Sequence, residues 1–166
     1  MSKKKQSSQL GLLLLCLEVL LAVVALVLLM ATPGVVYKTA LGDSSYSGIQ
    51  SIFGGDKLSP SWAGLLSFIF IAVAVLSLVF LVVLVLLKKK FAFVNLCKLI
   101  IAGLLIAGGV FLFFETAAFT SANGNLSISV GGKDYASYAL GAGWIIAAIL
   151  SIAGGAVSGI EVFLQK

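Results

Sequence analysis

Two ionisable side chains stand inside long apolar runs: Glu18 within Leu10–Ala31 and Lys98 within Phe91–Phe114. An isolated charge near the centre of a bilayer costs roughly 2.5–3.5 kcal/mol or more, so a partner is expected for each. At 1.5 Å per residue, Glu18 stands about 12 Å beyond Leu10 and Lys98 about 12 Å beyond Lys90. The equal depth predicts an intramembrane contact between them, with Asn95 or Cys97 nearby. Such a pair could relay a proton or ion, or hold a polar solute. It could also do no chemistry and only fix the helix register. A third reading has Lys98 snorkelling to the interface, if its helix starts later than Phe91.

Other chemistry is excluded by residue type. The chain has no histidine, and its 11 basic residues are all lysine. Imidazole metal sites and general bases are therefore absent, as are bidentate arginine clamps for phosphate. There is no H-E-x-x-H, C-x-x-C, G-x-S-x-G or P-loop sequence. Asp43, Asp56 and Asp134 are isolated from one another in the chain. No catalytic, cofactor-binding or metal-ligating residues are expected, and the reading is not an enzyme. Cys16 and Cys97 fall inside apolar runs and read as small buried fillers. Neither loop between spans carries a cysteine, so no disulfide staples them, which points to a bacterial source. Glu161, close to Lys166, reads as an interfacial helix end.

The elements that must position Glu18 and Lys98 are four apolar runs: Leu10–Ala31, Trp62–Leu87, Phe91–Phe114 and Tyr138–Val162. Each can cross a hydrocarbon core about 30 Å thick. The chain is 61% hydrophobic and 10% charged, with a mean hydropathy of +1.19, where soluble domains carry about 25% charged residues. The expected fold is an all-α membrane protein, a single four-transmembrane-helix bundle over residues 1–166. The net charge of +5 does not indicate nucleic acid, because of its placement. Lys3–Lys5, Lys88–Lys90 and Lys166 lie on one side of the runs, which by the positive-inside rule is cytoplasmic. Both termini and the turn 88–90 are then inside, and loops 32–61 and 115–137 outside. The lysine clusters could also attract anionic lipid head groups. The first run is too long for a signal-peptide core and reads as a retained helix.

The outer loops carry strand signals. Val35–Leu41 is rich in β-branched and aromatic residues. Gly42–Ser45 and Gly54–Asp56 read as turns. Ser127–Val130 and Asp134–Ala139 flank Gly131–Gly132 as a hairpin would. The expectation is a small β-hairpin or sheet capping the extracytoplasmic face. Asn125–Leu126–Ser127 is a glycosylation triplet that matters only in a glycosylating host. Trp62 and Trp144, with Tyr135 and Tyr138, are expected as anchors in the outer interfacial belt.

The fourth run carries the clearest packing pattern. Gly143, Ala147, Ser151, Gly155 and Gly159 recur every four residues, a ridge of small side chains that lets backbones approach closely. Its partner is either another helix of the chain or a second copy. Smaller versions occur in the other runs: Gly11, Glu18, Ala22 and Ala25; Ala63, Ser67, Ala74 and Ser77; Asn95, Lys98, Ala102 and Gly109.

The layout of inside termini, a longer first outer loop and a shorter second, with strand-like pieces in both, is similar to the claudin-like tetraspans. The resemblance covers topology only. The claudin first-loop signature of tryptophan, Gly-Leu-Trp and two cysteines is missing, and the nearest fragment, Trp62–Ala63–Gly64–Leu65–Leu66, does not match it. The functional expectation is a structural, scaffold or accessory protein of a bacterial cytoplasmic membrane. It would meet the lipid bilayer, and a protein partner or a second copy through the fourth helix or the outer loops. The alternative is a small oligomeric transporter or channel using Glu18 and Lys98.

Overall fold

The computed structural model describes residues 3–39, 42–55, 57–87, 92–124, 128–130 and 133–164. The lysine turn 88–90, Asp56, the triplet 125–127, Gly131–Gly132 and Lys166 lie outside the described residues, as does the side chain of Tyr135. In chain order the elements are helix α1 (Lys3–Ala31), strands β1 (Pro33–Thr39) and β2 (Gly42–Ser47), and helices α2 (Gly48–Phe53), α3 (Trp62–Leu86), α4 (Val94–Phe113) and α5 (Glu115–Asn123). Strands β3 (Ile128–Val130) and β4 (Lys133–Leu140) and helix α6 (Ala142–Leu164) follow.

Among the described residues four helical stretches are long and apolar enough to cross a membrane: Leu10–Ala31, Trp62–Leu86, Val94–Phe113 and Ala142–Phe163. Their outer surface is as apolar as their interior, unlike that of a soluble bundle. Leu13, Leu20, Leu76, Ile149 and Phe163 are each more than half exposed, while Ala22, Ala25, Ser67, Ala74, Ala147, Ala148 and Ser151 are fully buried. Lipid lets large aliphatic side chains face outward, and the small residues among the buried Leu29, Ile71, Leu105 and Leu112 allow close backbone contact. The chain is a multi-pass membrane protein. α6 packs between α1 and α4, and α3 closes the ring against α4 and α1.

Glycines set the tightest crossing. A Cβ on Gly109 of α4 would stand 2.7 Å from the Ala148 carbonyl of α6, and one on Gly155 of α6 would stand 2.8 Å from the Ala102 carbonyl of α4. The two helices therefore meet backbone to backbone at two levels. Ser151 Oγ donates to Leu105 O at 2.7 Å between those levels.

The two long connections fold together at one end of the bundle. Their strands form one antiparallel sheet in the order β2-β1-β4-β3. β1 pairs with β4 from Val35↔Leu140 to Thr39↔Ala136, which ties the first connection to the last. The three segments expected as strands join this sheet. A fourth, β2, forms where Gly42–Ser45 reads as a turn. It is a polar, exposed edge strand, so it carries no apolar alternation to betray it. Two short helices flank the sheet. α2 begins with a capping box: Gln50 N–H donates to Ser47 Oγ, and Ser47 N–H donates to Gln50 Oε1, both at 3.2 Å. α5 is held to the first connection by Asn123, which accepts from Ser59 N–H at 2.7 Å and donates to Ser59 O at 3.1 Å.

The fourth span starts later than its apolar run. Tyr138–Leu140 belong to β4, and the helix starts at Ala142, because pairing with β1 holds those residues extended. Gly141 makes the corner: its N–H donates to Gly34 O at 2.9 Å, and a Cβ there would collide with the Pro33 carbonyl.

Candidate functional site

The intramembrane cluster forms at the end of the bundle away from the sheet. Lys98 on α4 is buried and ion-paired with Glu161 on α6, which is also buried. Ser158, one turn before Glu161, donates its hydroxyl to Lys98 O at 3.1 Å. Glu18 on α1 is fully buried and faces Glu161, Lys98 and Ser158. The group is thus three charged residues from three helices. Lys98 is paired with Glu161, with Glu18 beside the pair. Glu161 is not the interfacial end read from its place in the chain. Asn95 is exposed, and Cys97 lines an apolar groove with Leu76, Ser77, Phe80 and Leu81. Cys16 is exposed on α1, on a bundle surface suited to lipid, so it is no buried filler.

The small-residue ridge of α6 divides among several neighbours. A Cβ on Gly143 would collide with Thr32 at the end of α1. Ala147 is fully buried, Ser151 and Gly155 face α4, and Gly159 has nothing within 4 Å of a built Cβ. The geometry of a straight helix explains this. Residues four apart advance about 40° round the axis, so the five positions fan across roughly 160°. A mixture of three- and four-residue steps follows the buried face instead: Trp144, Ala147 and Ala148, Ser151, Gly155, Ser158, Glu161. That stripe was present in the sequence, and it leads to Glu161.

A second polar knot lies at the sheet end. Ser61 caps α3, its Oγ accepting from Gly64 N–H at 3.3 Å while donating to Glu115 Oε2 at 2.6 Å. Glu115, in the first turn of α5, is fully buried. Burial pushes its carboxyl up to about 7, against the opposing pull of the Ser61 hydroxyl and the Gly64 N–H. A Cβ on Gly64 would stand 3.0 Å from Glu115 Oε2 and 3.3 Å from the Trp144 ring. Trp144 corrects the expectation of an interfacial anchor. It is fully buried, and its Nε1–H donates to Leu29 O at 2.9 Å. The helical partner of that carbonyl would be the N–H of residue 33, which is proline and has none. Trp144 supplies the missing donor and so fastens the start of α6 to the end of α1. Trp62 is half exposed, with its ring 6.1 Å from Phe111.

The sheet rests on α5 through aromatic rings. Phe119 meets Tyr46 of β2 at 5.2 Å and Tyr138 of β4 at 5.6 Å, and Tyr138 meets Tyr37 of β1 at 5.0 Å. On β2, Gly42 to Ser45 are exposed. Among the described residues no group of three or more His, Cys, Asp and Glu side chains could hold a metal ion. Comparison with protein-family models, curated proteins and solved structures finds no match to this chain.

Proposed function

We propose that the protein is a non-enzymatic structural or accessory component of a bacterial cytoplasmic membrane, making its protein contact through the sheet on the outer side of the bundle. The observation that carries this reading is the sheet itself. Both connections contribute strands to it, the Trp144 ring of α6 lies against Gly34 of β1, and Phe119 of α5 packs on Tyr46 and Tyr138. It leaves β2 as an edge strand of glycine, aspartate, serine and tyrosine. An exposed edge offers unpaired N–H and C=O groups to an extended segment of another protein. Lysines 3–5 and 88–90, at the opposite ends of the spans, support an orientation with the sheet outside.

Photo-crosslinking in native membranes tests the contact. A photoreactive residue at Ser44 or Ser45 is expected to capture one defined protein, and the same residue at lipid-facing Leu76 is not. If Ser44 and Ser45 capture nothing, or capture the same set as Leu76, the reading fails. The second reading, a small oligomeric transporter or channel, draws on the enclosed Glu18 and Lys98. Transport sites usually interrupt helices near the midplane, whereas Pro33 and Pro60 here both lie outside the spans. A pure homo-oligomer that conducts ions in liposomes would favour it.

A further inference from the structure

We propose that Glu18, Lys98 and Glu161 form an exchangeable proton-binding site, one proton being shared between the two carboxyls while Lys98 balances the remaining charge. The inference is independent of the contact made by the sheet. It rests on the groups that face one another. α1 contributes Glu18, α4 contributes Lys98, and α6 contributes Glu161 and Ser158. α3 has no ionisable residue between Trp62 and Leu86. The Ser158 hydroxyl proton is committed to Lys98 O, and the ammonium is engaged by Glu161.

Glu18 then has no donor: neither of its carboxyl oxygens has a hydrogen-bond partner, and the residue is fully buried. Two ionised carboxylates against one ammonium leave an uncompensated negative charge in a low-dielectric interior, a state that burial strongly disfavours. Carboxylates are acceptors only, so two that face each other gain a bond when one takes a proton and becomes a donor. One proton removes the excess charge and supplies the missing donor together. The described residues offer no metal-ligating cluster that could do the same. Exchange needs only a short path, because Lys98 lies about 6 Å from the start of α4.

A hydrophobic carbodiimide tests the site on the full-length protein in mild detergent. A protonated carboxyl oxygen adds to the carbodiimide carbon while the carboxyl proton passes to its nitrogen. The resulting acylisourea rearranges to a stable acylurea that peptide mass spectrometry can place. At about pH 6 the Glu18 or Glu161 peptide is expected to be modified. Modification should fall about tenfold per pH unit above the midpoint, with no effect of sodium at fixed pH. Glu18→Gln should lower modification of Glu161 at neutral pH by about tenfold or more, because a lone carboxylate beside Lys98 stays ionised. Lys98→Met should extend modification to higher pH. The proposal is overturned if neither peptide is modified at about pH 6 while Glu115 is. It is overturned equally if Glu18→Gln leaves Glu161 modification unchanged, or if sodium protects the site, which would make it a cation site. Should the variants fail to fold, the pH and sodium profiles of the unaltered protein decide.

Discussion

Glu115 makes stability depend on pH in a direction opposite to that of most carboxylates. Its carboxyl sits fully buried under the start of α3, moved from 4.5 to about 7 by loss of water, with the Ser61 hydroxyl and Gly64 N–H opposing. Between those two values the folded protein holds a proton that the unfolded chain has released. Stability therefore falls as pH rises from about 4.5 to about 7, and the contribution levels off above that. At about 1.4 kcal/mol per unit, the full window is worth about 3 kcal/mol. Glu115→Gln keeps the shape and an oxygen for Ser61 and removes the titration. It should match the unaltered protein at acid pH and exceed it by up to about 3 kcal/mol above neutrality. At roughly 2–4 °C per kcal/mol, that is a melting shift of several degrees. Thermal melts in detergent at about pH 5, 6, 7 and 8 measure it. The difference between the two proteins isolates Glu115 from Glu18 and Glu161. Parallel melting curves for the two at every pH would refute the reasoning.

Other variants probe the packing. Trp144→Phe keeps the ring but leaves the buried Leu29 carbonyl without a donor, and should cost about 1–3 kcal/mol in a denaturation series. Gly155→Val forces a side chain against the Ala102 carbonyl and Ile106, and should lower the melting temperature sharply, while Gly159→Ala, where a Cβ meets nothing within 4 Å, should not. A destabilised Gly159→Ala would show that this face is covered in the assembled protein. Lys98→Met, which leaves the carboxyls without a cation, should destabilise by about 3–5 kcal/mol, and Glu161→Gln, which leaves Glu18 to balance Lys98, should cost less. The double variant should recover part of that loss, a coupling of about 0.5–3 kcal/mol; additive effects would deny the pair.

The four spans were legible because length and apolarity alone define them. Strand β1 was legible from its β-branched and aromatic residues, and β3 and β4 from the glycine pair that their segments flank. β2 was not, since an edge strand of glycine, aspartate and serine looks like a turn until a neighbour pairs with it. Trp144 was placed at the right end of the right helix but in the wrong solvent. Its partner is a carbonyl 115 residues away, freed by Pro33, and backbone groups leave no trace in composition. Glu18 and Lys98 were identified as residues needing partners, but depth along a helix was read without direction round it. Following the three-and-four stripe of α6 to Glu161 would have shown a third charged group.

The central pairing of the sheet also constrains how the protein is made. Val35 and Leu140, the outermost partners of the β1–β4 ladder, are about 100 residues apart in the chain. At roughly 5–20 residues per second of synthesis, β1 is complete some 5–20 s before β4 exists. During that interval the first helical hairpin is inserted with one edge of its β-ribbon bare, and Leu29 still awaits its tryptophan. The pairing is therefore a latch. β4 and the start of α6 emerge together, and they close the open edge of β1 and cap Leu29 in one step.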